Sequence, residues 1–263
     1  MVTLAGIFPP TQPPEQIGAV AAAAESAGLG QLWIWEDCFM ESGIATATAM
    51  LATTSRITVG IGLLPVPLRN VALTAMEIAT LSRLFPGRLI AGVGHGVLDW
   101  MGQAGAKVES PMTLLREYTA ALYALLHGET VTARGRYVNL DAVALDWPPA
   151  VVPPLLVGGI KPRTVSLAGE LADGVIIPGG VSPEEVRASV GQLHGQRSAG
   201  RGPADVVVFI STPAGRPAAA VAATVSEYAA AGATHVAVNA AEDDADLERF
   251  AGFLAREVGP LLR

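Results

Sequence analysis

The chain has one cysteine, Cys38, among its 263 residues, so no internal disulfide and no thiolate cluster can hold it together. Lysine is nearly missing as well. Lys107 and Lys161 are the only two, and 17 Lys+Arg against 24 Asp+Glu leave a net charge of -7. So few cations give no footprint for nucleic acid and none for an anionic membrane surface. There is no uninterrupted apolar run of about 20 residues, the length that spans a bilayer, and no basic-then-apolar leader. A soluble, cytoplasmic protein is therefore expected. H-E-x-x-H, Cys/His clusters, G-x-S-x-G and the Gly-Lys pair of a nucleotide P-loop are all lacking, which argues against metallohydrolase, serine hydrolase and NTPase chemistry and leaves no metal site to expect.

What the chain has in quantity is aliphatic sequence, with 51% hydrophobic and only 16% charged residues. Eight short apolar runs read as strands: Leu4–Phe8, Gln31–Trp35, Ile57–Leu64, Arg88–Gly94, Pro154–Gly159, Asp173–Gly180, Val206–Ser211 and His235–Ala240. Their continuous apolarity fits burial on both faces, as in a parallel sheet. Alanine-rich helical segments lie between them. Pro13, Pro14 and Glu15 can start the first helix and Gly28 can end it, Ser182-Pro-Glu-Glu185 is a capping box, and Gly128 and Gly259 can end two others.

Strand alternating with helix eight times in a chain near the usual ~250 residues predicts an α/β fold of the (β/α)8 TIM-barrel type, one domain over residues 1–263. The long gap between the fourth and fifth strands holds a helix near Met112–His127 and then Thr130–Asp146. There Gly135 and alternating Val131, Tyr137, Val138 and Leu140 predict an insertion hairpin over part of the barrel mouth. A doubly wound sheet is the alternative, but Gly92-Val-Gly-His-Gly96 breaks the G-x-G-x-x-G spacing.

Pro154-Leu-Leu-Val-Gly-Gly-Ile-Lys-Pro-Arg-Thr164 runs from an apolar strand through Gly158 and Gly159 into a proline-started helix. Glycine allows close backbone approach, the helix start offers free N–H groups, and Lys161 and Arg163 add charge, so the segment is suited to a phosphate. An ordinary βα turn of a barrel has the same composition, and on this segment alone the two readings stand level. Gly179 and Gly180, before the Ser182 helix, supply a second such loop, and the two together would form one cradle.

Ile57-Thr-Val-Gly-Ile-Gly-Leu-Leu-Pro-Val-Pro-Leu-Arg-Asn70, then Ala75–Leu84 and Pro86-Gly-Arg-Leu-Ile-Ala-Gly-Val-Gly-His-Gly96, resemble the bacterial luciferase-like superfamily. So does the order of elements, nearly end to end. Val157-Gly-Gly-Ile-Lys-Pro-Arg-Thr164 and Leu171-Ala-Asp-Gly-Val-Ile176 resemble its cofactor-phosphate region. The resemblance implies a barrel with an insertion after the fourth strand and a flavin-type carrier, either FMN or the deazaflavin coenzyme F-420. It also implies a non-prolyl cis peptide at Gly62–Leu63 behind the cofactor ring; without the resemblance, glycine there is an ordinary strand end shaped for packing. The cofactor-binding set so expected is Gly62, Leu63, His95, Gly96, Gly158, Gly159, Ile160, Lys161, Gly179 and Gly180.

Catalytic groups of this fold gather at C-terminal strand ends, which singles out Glu36-Asp37-Cys38. The superfamily often carries Asp-His at Asp37-Cys38, so here a thiol replaces the imidazole. Asp37, if buried, suits general acid work near neutrality; as a solvated loop residue it would cap the next helix. Cys38 has no neighbour to stabilise a thiolate and is expected to line the substrate pocket with Val97 and Trp100. His95, between Gly94 and Gly96, either hydrogen-bonds cofactor or substrate or ties down its own loop. Val97 stands where the superfamily's sugar-phosphate dehydrogenases carry a glutamate acid, which disfavours that activity. Trp33 and Trp35 share a strand face, as core or as an aromatic wall.

Three functions are compatible with these residues. The first is hydride transfer between reduced F-420 and a small organic substrate, with Lys161, Arg163 and Arg187 near the anionic cofactor tail. The second is an FMN-dependent monooxygenase supplied by a separate reductase, and the third a catalytically degenerate flavin-binding barrel. By analogy the apolar Ala72–Leu84 segment forms a homodimer.

Overall fold

Strands without a polar face are stable only where both sides are covered, and the chain achieves this by closing them into a cylinder with helices outside. The structure is a computed structural model that describes residues 2–197, 200–242 and 246–262. In chain order its elements are β1 (3–8), α1 (17–27), β2 (31–34), α2 (43–53), β3 (58–65), α3 (71–84), β4 (89–94), α4 (98–103) and α5 (111–126). Then follow β5 (131–134), β6 (139–143), β7 (155–158), α6 (162–171), β8 (174–177), α7 (183–195), β9 (205–212), α8 (218–230), β10 (235–240) and α9 (247–253). The closed barrel runs β1-β10-β9-β8-β7-β4-β3-β2, while β5 and β6 form an antiparallel hairpin apart from it. All eight expected strands are barrel strands, and the expected hairpin falls in the excursion between β4 and β7.

The period of two divides the apolar residues into two cores. Ala5, Ile7, Trp33, Ile90, Leu156, Ile176, Val207, Phe209 and Ala237 point into the barrel, whereas alternate residues such as Val59, Val157 and Val208 pack beneath the helices. Trp33 lies opposite Gly60 in the β2–β3 register, and a Cβ on Gly60 would strike its ring.

Helix ends follow local chemistry. Ser182 and Glu185 form the reciprocal capping box of α7, and Asn70 caps α3 through the Ala72 N–H. Gly28 ends α1 in the left-handed region. Two expectations need correction. A 3-10 turn over Pro14–Gln16 precedes α1, which begins only at Ile17. Gly259 ends nothing: it keeps right-handed helical angles where a π-helical turn passes into a 3-10 turn.

The hairpin is fastened to α5 by Glu117, whose carboxylate accepts the N–H groups of Arg136, Tyr137 and Val138 at 2.9, 2.8 and 3.0 Å. Between the hairpin, α5 and the turn after β3 lies a cavity of about 430 Å³ lined by Arg69, Tyr118, Tyr137 and Leu140 among others.

At the opposite end of the barrel Glu25 of α1 closes the turn before β3. Its carboxylate accepts the N–H groups of Ser55, Arg56 and Ile57 at 2.9, 2.6 and 3.0 Å, which hold its pKa down at about 2 from an ordinary 4.5. Because the folded-state pKa lies below the unfolded one, the stabilisation is complete above about 4.5 and is lost as pH falls toward 2. Urea unfolding of wild type and Glu25→Gln at a series of pH values should show the wild-type advantage disappearing across that window; a constant difference down to the lowest pH would contradict it.

Candidate active site

The C-terminal ends of the strands carry the polar and glycine-rich residues of the barrel. After β2 the chain passes through Trp35, Glu36 and Asp37 to Cys38 and Phe39. Asp37 is half-buried, and burial pushes its carboxyl above the ordinary aspartate value. It does not cap the next helix, since Ser42 does that for α2. Burial first, then the charges of Glu36 and Asp37, push the Cys38 thiol up, with Arg69 opposing, so Cys38 remains a neutral thiol. The Cys38–Phe39 and Gly62–Leu63 peptides are both cis.

Glu36 is engaged in a different way. Arg69, just after the turn that follows β3, donates both guanidinium Nη groups to its carboxylate, and Gly43 N–H at the start of α2 donates to the same group at 2.7 Å. Arg69 Nε also lies 3.5 Å from Glu77 of α3.

Leu63 packs against the glycines that end β4 and β7. A Cβ on Gly94 or on Gly158 would run into its side chain, and one on Gly62 would lie 2.6 Å from Phe209. The space that the missing side chain of Gly158 leaves is filled by Leu63, so close packing alone already requires glycine there. Gly159, at φ 148°, packs its backbone against Thr164.

The proposed cradle is asymmetric. At the start of α6 Lys161 gives no side-chain cap, Pro162 is the first residue, and Lys161 and Arg163 are exposed. At the start of α7 the Glu185 carboxylate already accepts from Ser182 N–H and Oγ, so that end holds the protein's own anion. Gly179 and Gly180 lie exposed between the two, Gly180 with φ 83°, and Ile160 packs partly buried onto the outer core. Arg187 is exposed on α7.

His95 reaches this corner and not merely its own loop. Its Nε2 lies 3.5 Å from Oγ1 of the buried Thr164, and its pKa is lowered by burial and then by Lys161, with the Pro111 carbonyl opposing. The imidazole is neutral at pH 7. Gly96, at φ 67°, could not carry a Cβ without meeting Pro65, Val97 is exposed ahead of α4, and Trp100 is half-buried on that helix.

Among the described residues, buried polar atoms at or just beyond C-terminal strand ends without a hydrogen-bond partner include Trp35 Nε1, His95 Nδ1 and Asn239 Oδ1, together with Glu41 Oε1, Thr212 Oγ1 and Glu242 Oε2. Trp35 packs on the inner core, its ring 6.0 Å from that of Phe209, and Asn239 lies two residues beyond the inward Ala237. Sequence reasoning did not single out Asn239, Thr164 or Arg69 as candidates, and it did not foresee the pairing of Glu36 with Arg69. A lone asparagine at the end of an apolar strand was the one available signal. Among the described residues no group of three or more His, Cys, Asp or Glu is placed to hold a metal ion, and no helix is long and apolar enough to cross a membrane.

A family model described as luciferase-like monooxygenase matches residues 2–258. The chain is 32% identical over 202 residues, 76% of its length, to a 5,10-methylenetetrahydromethanopterin reductase of Methanolobus tindarius. It is 34% identical over 182 residues, 64% of its length, to an F-420-dependent glucose-6-phosphate dehydrogenase of Kineococcus radiotolerans. These matches span 61% and 53% of those relatives. Among solved structures, that of the coenzyme F-420-dependent tetrahydromethanopterin reductase from Methanopyrus kandleri superposes with a TM-score of 0.85 at 20% identity, covering 100% of this chain and 99% of that one.

The seat of Leu63 can be tested by volume. Gly158→Ala should cost about 1–3 kcal/mol in urea unfolding, as overpacking does, and adding Leu63→Ala should recover part of that loss because the two sites are in contact. A neutral Gly158→Ala would show that Leu63 does not fill that space.

Proposed function

The chain belongs to the luciferase-like monooxygenase family, and from that premise we propose an enzyme that transfers a hydride between coenzyme F-420 and a small organic substrate. The observation that carries the reading is the mouth geometry: Leu63 on its two glycines beside an open helix start and three of the unpartnered polar atoms. A flat ring with a polar edge would match the chemistry of these groups. Leu63 and Gly62 would back the ring, and Trp35 Nε1, Asn239 Oδ1 and His95 Nδ1, with Gly96 beside them, offer it hydrogen bonds. The N–H groups of Ile160, Lys161 and Arg163 with the Lys161 side chain would hold the phosphate, with Gly159 shaping the turn, its own N–H given to the Ile176 carbonyl, and the backbone of Gly179 and Gly180 alongside. Bound there, F-420 supplies a hydride, and because carbon replaces the flavin's reactive nitrogen it activates oxygen poorly.

The chain's own groups divide the remaining work. Asp37, its pKa raised by burial, is the carboxyl placed to pass a proton to the substrate atom beside the one that receives hydride. A carboxyl thus does what the missing imidazole would have done at Cys38, which speaks against a barrel that has lost turnover. Cys38, Val97 and Trp100 would line the substrate side. F-420 in the name of a relative 34% identical supports it over FMN and a partner reductase. Val97, without the glutamate of the sugar-phosphate dehydrogenases, favours a different substrate.

One barrel unit over residues 1–263, acting in the cytoplasm on a small molecule, completes the reading; the low cation content and single cysteine support it. We also propose a homodimer through α3, where Leu73, Met76 and Leu84 are 48, 58 and 62% exposed along one stripe. Met76→Glu should shift sedimentation from dimer to monomer; wild type sedimenting as a monomer would refute it.

Fluorescence titration with F-420 and with FMN tests the cofactor. Tight binding of neither rejects the proposed activity, and preference for FMN transfers it to the monooxygenase reading. Asp37→Asn should lower turnover by about 10²–10⁴ with F-420 affinity preserved; an unchanged rate would remove Asp37 from the chemistry.

A further inference from the structure

The loop that carries Asp37 is closed by one buried carboxylate. Glu36 stands just before it and Gly43 just after, and Glu36 Oε2 accepts the Gly43 N–H at 2.7 Å, so both ends of the loop are pinned to one group. The Gly43 position is tight as well, since a Cβ there would lie 3.1 Å from Ile61 and Leu64 and 3.3 Å from that oxygen. The other side of the carboxylate is filled by the two Nη groups of Arg69. Arg69 follows the turn after β3, on the segment that begins with Leu63. Its guanidinium therefore joins the wall bearing the half-buried carboxyl to the wall bearing that bulky apolar side chain.

Side-chain exposures of 8% for Glu36 and 14% for Arg69 put the pair out of water. Such pairs are poor sources of stability compared with apolar residues of equal volume; what they supply is direction and register. Burial opposes the guanidinium charge, yet the Glu36 hydrogen bonds and charge, helped by Glu77, outweigh it and raise the Arg69 pKa. The cation is committed to Glu36 and Glu77, and Asp37 keeps its burial-raised carboxyl.

We propose that Arg69 is a positioning residue: by clamping Glu36 it fixes Asp37 at a set distance from Leu63, and hence from the ring that Leu63 would back. The assignment to catalysis rests on the function proposed above, whereas the clamp itself does not.

Two variants test it. Arg69→Lys keeps the charge but loses the fork, and Glu36→Gln/Glu77→Gln/Arg69→Met removes the cation with both of its carboxylate partners, so it carries the test if the first fails to fold. In ligand-free protein, hydrogen exchange at residues 37–43 should quicken by about tenfold or more while the barrel strands keep their protection. The F-420 dissociation constant and the KM for the organic substrate should stay within about threefold, and kcat should fall by about 10–100-fold. Unchanged exchange at 37–43 overturns the clamp whatever the activity. Faster exchange with unchanged kcat overturns the positioning role, and so does loss of F-420 binding in step with kcat, which would mark general damage. Wild type that binds no F-420 defeats the proposed function instead, and the exchange measurement then decides the clamp alone.

Discussion

The interior of a closed barrel has a fixed volume, and this chain fills it unevenly. Trp33, Phe209, Ile176 and Leu63 project inward, and the glycines at 60, 62, 92, 94 and 158 are where their bulk goes. Every one of those glycines belongs to β3, β4 or β7, three adjacent strands. Besides Ile90, Leu156 and Leu63, that arc turns glycines to the centre, and Trp33 of β2, Ile176 of β8 and Phe209 of β9 fill the space beside them. The position of Leu63 against Gly94 and Gly158 follows from the same partition.

Most of the architecture was legible because the signals were local. Unbroken apolar runs marked the eight barrel strands, and Ser182 with Glu185 marked a helix start that the structure reproduces atom for atom. Gly259 misled because a glycine signals a helix end only when it turns left-handed, and π and 3-10 turns carry the chain through it right-handed. Gly158 carries a different lesson. A glycine announces that something comes close without saying what, and here the neighbour is Leu63, far away in sequence. The candidate site was legible in part: Asp37, Cys38 and His95 were singled out by position, and the structure places them just beyond strand ends. The contacts of Glu36 with Arg69 and of His95 with Thr164 join residues separated by 33 and 69 positions, beyond any motif or spacing.

Adjacent residues at the mouth show how environment differentiates one chemical group. Glu36 has a guanidinium and a backbone amide, whereas Asp37, the next residue, is shaped chiefly by burial. One carboxylate is thereby a fixed structural charge and the other is free to change its proton. A similar asymmetry separates the two helix starts nearby: Glu185 fills that of α7, and that of α6 has no side-chain cap. Where the chain supplies its own anion, a second is repelled, so the neighbouring start gains selectivity by contrast.

The strands on either side of the long excursion, β4 and β7, hydrogen-bond to each other directly. The cylinder is consequently complete without anything that lies between them in the chain, and the hairpin's attachment is concentrated on Glu117, a residue of the excursion itself. Such a segment is a cassette. The hairpin in it can change in length or sequence while the ring of barrel strands stays hydrogen-bonded.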